Sequence, residues 1–216
     1  MTKFSLIITA AGNSSRYGNR NKLLEHLGSK TVIETTLSNF LEIEDITEII
    51  ITTNNSVKKE FEKFLKDRRI KFVNGGNTRQ KSIYNALLEV NNSYVIIHDG
   101  ARPLISKATI LQVMNSVVLN KAVSVAVKTT DTIKEVDENG VIVRTIDRSK
   151  LYNTQTPQAF ETKLIKTAHR ELINNDYTDD SSMLETLGIP VHVIIGSYTN
   201  IKITTKSDLD FAKLYI

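Results

Sequence analysis

Phe4-Ser5-Leu6-Ile7-Ile8-Thr9 is a short apolar run, and it breaks at once into Ala10-Ala11-Gly12-Asn13-Ser14-Ser15-Arg16-Tyr17-Gly18, a loop of small residues. The run predicts a buried strand over residues 4–9. Outward from it, apolar strand-like runs alternate with helical stretches. A helix is expected at 31–40, a strand at 48–53, and a helix at 56–66 whose Val57, Phe61, Phe64 and Leu65 form one stripe. A short strand at 71–73 precedes an amphipathic helix at 79–90, with Ile83, Ala86, Leu87 and Val90 on one face. Then come a strand at 94–98, a helix at 107–119 and a strand at 122–127. Strands separated by helices of this length make βαβ units. The expected fold class is α/β, a mostly parallel twisted sheet with helices on both faces.

The rhythm breaks at 131–147. Two alternating segments, 132–136 and 141–146, flank Glu138-Asn139-Gly140, and Asn-Gly between alternating apolar positions signals a hairpin. Its polar neighbours Lys134, Glu135, Asp137 and Arg144 predict an arm that projects from the core. Beyond it we expect a helix near 162–173, a short helix around 181–187, strands at 191–195 and 200–205, and a final helix from Ser207. Residues 1–216 read as one domain with an arm at about 131–152.

Composition narrows the function classes. The chain has 216 residues, 40% hydrophobic and 24% charged, enough for one sizeable core. Lys plus Arg is 28 against 24 Asp plus Glu, a net charge of +4 without a basic stripe, so a nucleic-acid partner is not expected. No apolar run nears the roughly 18 residues of a membrane span, and no secretory signal is visible. There is no cysteine, which excludes thiolate catalysis and zinc–thiolate sites, and the expected compartment is the cytoplasm.

In parallel α/β sheets ligands sit at the C-terminal strand ends, so the residues just after each strand carry the chemistry. After the first strand, the Ala10–Gly12 backbone could cradle phosphates, with Arg16 and Lys22 adding two charges. An ordinary connection with solvated cations fits the same residues. Gly75-Gly76-Asn77-Thr78-Arg79-Gln80-Lys81-Ser82 permits close backbone approach to an anion, or is simply a turn with Asn77 or Thr78 as helix N-cap. In His98-Asp99-Gly100-Ala101-Arg102-Pro103, a carboxylate at the end of a buried strand must be paired or bind a cation. Mg²⁺ bridging phosphates and an Asp99–Arg102 structural pair are the alternatives. His98 reads as a hydrogen-bonded positioning residue. Thr178-Asp179-Asp180-Ser181-Ser182 precedes a helix that Asp180 or Ser181 could cap, and Lys202 sits in Asn200-Ile201-Lys202-Ile203-Thr204-Thr205, inward-facing or solvated.

The ordered set AAGNSSRYG…K, GGNTRQKS, HDGARP, TTDTIKEVDENG, IDRSKLYNTQTPQAF, TDDSS and NIKITT resembles the 2-C-methyl-D-erythritol 4-phosphate cytidylyltransferases of the non-mevalonate isoprenoid pathway over nearly the whole chain. The resemblance implies a Rossmann-like nucleotidyltransferase, CTP and a polyol phosphate as substrates, Mg²⁺ near Asp99, and a homodimer with exchanged arms. It implies that Arg16 and Lys22 clamp the triphosphate. Ala10, Ala11, Gly12, Gly76, Arg79, Ser82, Asp99 and Ala101 would hold the nucleotide, and Thr132, Arg148, Thr178 and Lys202 the polyol phosphate. Arg148 and Lys202 would also serve the reaction itself.

Two other functions compete. Ribitol-5-phosphate cytidylyltransferases share much of the pattern, but their first motif typically reads Ala-Gly-Gly where this chain has Ala10-Ala11-Gly12. A non-catalytic nucleotide or sugar-phosphate binding protein is favoured by one departure: Asn21-Lys22-Leu23 stands where the family usually has Pro-Lys-Gln.

Overall fold

A computed structural model describes residues 2–12, 17–18, 21–173, 175 and 177–216. In chain order, β1 (Phe4–Thr9) is followed by a 3₁₀ turn (Lys22–Leu24), the two-residue strands β2 (His26–Leu27) and β3 (Lys30–Thr31), and α1 (Val32–Leu41). Next come β4 (Ile46–Thr53), α2 (Asn55–Phe64), β5 (Ile70–Asn74), α3 (Arg79–Leu88), β6 (Tyr94–Asp99), α4 (Lys107–Asn120) and β7 (Ala122–Lys128). The arm is β8 (Ile133–Val136) and β9 (Ile142–Ile146). The chain closes with β10 (Tyr152–Glu161), α5 (Thr162–Glu171), α6 (Asp180–Thr186), β11 (His192–Ile195) and α7 (Lys206–Lys213).

Among the described residues the main sheet has seven strands in the order β11-β7-β10-β6-β1-β4-β5. Only β10 runs antiparallel to its neighbours. The central strand shows why apolar runs were required. Leu6 and Ile8 enter one buried cluster with Ile33, Leu37, Phe40 and Phe61, whereas Ile7 points through the other face to Ile83, Leu87 and Ile165. Both faces are therefore covered, by α1, α2, α4 and α7 on one side and by α3, α5 and α6 on the other.

Local chemistry starts the helices where the site needs them. Thr31 and Glu34 form a reciprocal capping box for α1, Thr205 and Asp208 do the same for α7, and Thr78 caps α3 by accepting from Lys81 N at 3.1 Å. Thr78, not Asn77, is thus the α3 cap. The α6 cap is Asp179, whose Oδ1 accepts from Ser182 N at 3.2 Å, rather than the expected Asp180 or Ser181.

Two further features depart from the sequence reading. Residues 200–205 do not form a strand. They run across the sheet's C-terminal edge, tied to the strand-end loop by a backbone bond from Ile203 N to Ala101 O at 2.8 Å. The second is β10, which sequence pattern did not reveal. Its polar residues and Pro157 conceal it, because its register breaks between Thr154 and Gln158, and a bulge tolerates the missing proline N–H. The hairpin arm forms a separate two-stranded ladder on an Asp137–Gly140 turn, with Val136, Val141, Ile142 and Val143 more than half exposed.

Strand β10 fixes α6 through one side chain. Gln158 is fully buried and donates from Nε2 to Ser124 Oγ (3.0 Å) and Asp179 Oδ2 (2.6 Å), while its Oε1 accepts from Asp180 N (3.1 Å). Gln158→Leu strands these partners in the core and is expected to lower urea-unfolding stability by about 2–4 kcal/mol. A loss below about 0.5 kcal/mol would show that α6 is anchored by other contacts.

Candidate active site

A cleft of about 400 Å³ opens where β1, β4 and β6 end. Its floor is built from backbone. Ala10 N donates to Thr52 O (3.0 Å), and Gly75 N to Thr53 O (2.9 Å), so the loops after β1 and β5 are both tied to β4. They also touch: a Cβ on Gly75 would lie 2.3 Å from Ala11 Cβ. Glycine is needed there for close approach, not for backbone freedom. Ser82, in the first turn of α3, accepts from Gly76 N at 2.9 Å and donates to Thr78 O at 2.9 Å, which fixes the second glycine loop over the helix N-terminus.

Asp99, the last residue of β6, is buried at the cleft wall. Lys202 Nζ lies 2.8 Å and Arg102 Nε 3.6 Å from its Oδ2; Arg79 Nε lies 3.8 Å from its Oδ1, to which Thr9 Oγ1 donates at 3.2 Å. Burial alone would raise its pKa, yet Lys202, Arg79 and Arg102 hold the carboxyl far below the ordinary range, so it stays ionised. The expected Asp99–Arg102 pair exists but is the lesser contact. Arg102 mainly donates from Nη1 to Asn200 O at 2.7 Å. Buried Asn200 donates in turn to Gln155 Oε1 (3.0 Å) and Thr156 O (2.9 Å), and this anchoring aims Lys202 into the cleft.

His98 is fully buried beneath Asp99. Thr156 Oγ1 accepts from Asp99 N (3.0 Å), so its hydrogen points to His98 Nδ1 (3.1 Å), and Nε2 donates to Arg102 O (3.1 Å). Burial lowers its pKa to about 4, against the opposing pull of the Arg102 carbonyl and Asp99. The ring is neutral at pH 7 and serves as a strut.

Of the predicted site residues, Ala10, Ala11, Gly12, Lys22, Gly76, Arg79, Ser82, Asp99, Ala101 and Lys202 all line this cleft. Lys22 does so despite the departure at Asn21-Lys22-Leu23, because Asn21 caps the 3₁₀ turn by accepting from Leu23 N at 3.0 Å. Thr132, Arg148 and Thr178 are exposed and do not line it, and Arg16 lies outside the described residues. Sequence reasoning missed Thr9, Thr52 and Thr204 in the lining, and it missed Asp180. Asp180 Oδ2 meets Arg79 Nη2 at 2.8 Å, and its Oδ1 takes His169 Nε2 at 3.1 Å. The only sequence signal for that pair was the doubled Asp179-Asp180.

Among the described residues no group of three or more His, Cys, Asp or Glu could cage a metal. One ionised carboxylate beside a cationic cleft does fit a hard divalent ion held mostly by phosphates and water. Lys22, Arg79 and Lys202 against Asp99 leave the described cleft net positive, suited to polyanions rather than neutral ligands.

The family model described as 2-C-methyl-D-erythritol 4-phosphate cytidylyltransferase matches residues 4–216. An enzyme of that name from Caldanaerobacter subterraneus is 40% identical, with 98% of each chain covered. Its namesake from Bacillus mycoides is 38% identical over 99% of this chain and 97% of its own. The crystal structure of 4-diphosphocytidyl-2C-methyl-D-erythritol synthase from Anaerococcus prevotii superposes with a TM-score of 0.88 at 35% identity, covering 99% of this chain and 98% of that one. The corresponding Francisella tularensis enzyme gives 0.85 at 32% identity over the full length of both.

The protonation pattern predicts two acid limbs in stability. Unfolded His98 takes up a proton near its ordinary 6.5, but the folded ring does so only near 4. Stability carried by His98 is therefore complete above pH 6.5 and falls as pH drops towards 4, by about 3 kcal/mol in all. Asp99 and Asp180, both held below the ordinary 3.8, contribute stability that is lost only as pH falls below that value. His98→Asn should flatten the urea-midpoint profile between pH 6.5 and 4 and leave the more acidic limb. An unchanged slope there would assign it to other groups.

Proposed function

Since the chain belongs to the 2-C-methyl-D-erythritol 4-phosphate cytidylyltransferase family, we propose that it transfers a cytidylyl group from CTP to 2-C-methyl-D-erythritol 4-phosphate, giving 4-diphosphocytidyl-2-C-methyl-D-erythritol and pyrophosphate. The observation that carries this reading is the cationic cleft itself, in which Lys22, Arg79 and Lys202 and two backbone loops surround one ionised Asp99. The named relatives favour methylerythritol phosphate over ribitol phosphate as acceptor.

An oxygen of the polyol phosphate attacks the α-phosphorus of CTP in line. That P–O bond forms as the bond to the β-phosphate's bridging oxygen breaks, and pyrophosphate leaves with the electron pair. The nucleophile is already ionised at neutral pH, so no general base is needed, and a neutral His98 held away by its own hydrogen bonds agrees with that. Catalysis rests on cancelling charge between two polyanions and on the crowded α-phosphate. Lys22 and Arg16 stabilise that charge, and Ala10–Gly12, Gly76, Arg79, Ser82 and Ala101 hold the nucleotide. Cytosine would be chosen over uracil mainly by backbone groups.

Asp99 would hold a divalent cation, which we read as Mg²⁺, and that ion when bound would neutralise phosphate charge. Lys202 would then turn from Asp99 to the polyol phosphate, which Thr178 also serves. Thr132 and Arg148 do not line the cleft of their own chain. We read them as carried by the arm into the cleft of a second copy, making a homodimer with shared sites. No helix among the described residues is long and apolar enough to cross a membrane. With no cysteine to require an oxidising compartment, we place the chain in the cytoplasm.

A pyrophosphate-release assay tests the reading. CTP with methylerythritol phosphate should exceed CTP with ribitol 5-phosphate in kcat/KM, and absence of turnover with either would leave a binding protein. Lys22→Ala should lower kcat by about 10²-fold or more with a smaller change in CTP affinity. Near-normal kcat would remove Lys22 from the chemistry.

The shared site has its own test. Lys22→Ala and Arg148→Ala chains, inactive alone, are mixed through unfolding and refolding. Half the dimers are mixed, and each mixed dimer has one site with both residues intact, so activity should return to about a quarter of wild type. A mixture that contains mixed dimers and stays inactive would place Arg148 in its own subunit's site.

A further inference from the structure

We propose that Asp180, oriented by His169, is the positioning residue that sets Arg79 for the nucleotide; this rests on the reading of the cleft as a CTP site. The Arg79 guanidinium lies between two carboxylates, with Nη2 2.8 Å from Asp180 Oδ2 and Nε 3.8 Å from Asp99 Oδ1. Asp180 is 1% exposed and does not cap its helix, since Asp179 does. His169, also buried, holds the other oxygen at 3.1 Å. The three residues come from α3, α6 and α5, so only the tertiary fold aligns them.

A buried carboxylate is an expensive way to fill space, and an apolar residue of similar size would serve packing as well. What the charge accomplishes is directional. Without Asp180 the nearest anion for Arg79 is Asp99, whose Oδ2 already faces Lys202 at 2.8 Å. Arg79 would turn onto Asp99, leave the nucleotide side of the cleft and compete with Lys202. Asp180 holds the guanidinium back, and the His169 contact fixes the carboxylate that does the holding. Both residues act through Arg79 and touch no reacting atom.

The test measures CTP binding by calorimetry in the presence of Mg²⁺, methylerythritol phosphate binding separately, and Tm, all on the full chain. Asp180→Asn keeps the size and removes the charge. It should weaken CTP about tenfold, as losing the ion pair that orients the guanidinium implies, with polyol phosphate binding changed less than about twofold. His169→Leu should shift CTP affinity the same way, and His169→Gln, which keeps a side-chain N–H donor, should stay closer to wild type. In an Arg79→Gln background, Asp180→Asn should cost no further affinity. Unchanged CTP affinity in Asp180→Asn, or a second full loss in the Arg79→Gln background, overturns the proposal while the cleft assignment stands. If Asp180→Asn does not fold, the two His169 variants decide by the same affinities. A wild-type chain that binds no CTP overturns the cleft assignment and this inference with it.

Discussion

A carboxylate removed from water at the end of a buried strand must be matched by cations or give up its charge, and the architecture of this cleft follows from how Asp99 is matched. Its three cations arrive from separate parts of the chain: Arg79 at the start of α3, Arg102 three residues after Asp99 itself, and Lys202 from the segment before α7. Each carrier is itself tied down, α3 by the Thr78 cap, Arg102 by the Asn200 carbonyl, and the Lys202 segment by Asn200 and Ile203. Balancing one buried charge therefore brings three segments of the chain together around the tip of β6.

The same arrangement explains the struts beneath it. A charged imidazole under Asp99 would add a fourth cation beside a carboxylate that three cations already match. Burial and the Thr156–His98–Arg102 hydrogen bonds keep His98 neutral, so it supports the loop without entering the charge balance. Strand β10 supplies Thr156 to this chain and Gln158 to the start of α6, and thus connects the Asp99 side of the cleft to the Asp180 side. The one antiparallel strand in the sheet is the crossbar between the two carboxylates that share Arg79.

How much of this was legible follows from the kind of signal each feature leaves. The helix and strand order, the two covered faces and the small-residue loops could be read because apolar runs and glycine pairs are local. Ten of the cleft residues, from Ala10 to Lys202, could be named because they sit in short motifs, most of them at strand ends, that resemble those of a known family. Strand β10 could not, since its pairing is set by neighbours far away in sequence while its own residues are polar and include Pro157. Residues 200–205 looked like a strand because Ile201 and Ile203 alternate with polar residues, but that alternation only seats Ile203 in the core. Asp180 was hidden for a further reason: an aspartate pair before a helix reads as a cap, and only the fold shows that one member caps and the other faces Arg79.

The arm extends the argument from charge to assembly. Val136, Val141, Ile142 and Val143 lie more than half exposed on a ladder of two short strands, and such a hairpin has little reason to persist in water by itself. The cleft, meanwhile, collects cations sufficient for a nucleotide but does not receive Thr132 or Arg148 from its own chain. In the proposed dimer one contact answers both needs, because covering the apolar arm delivers the remaining substrate groups. An isolated subunit would then keep its nucleotide cleft and lack a complete acceptor site. Two polyanions would be drawn together only where two copies have met.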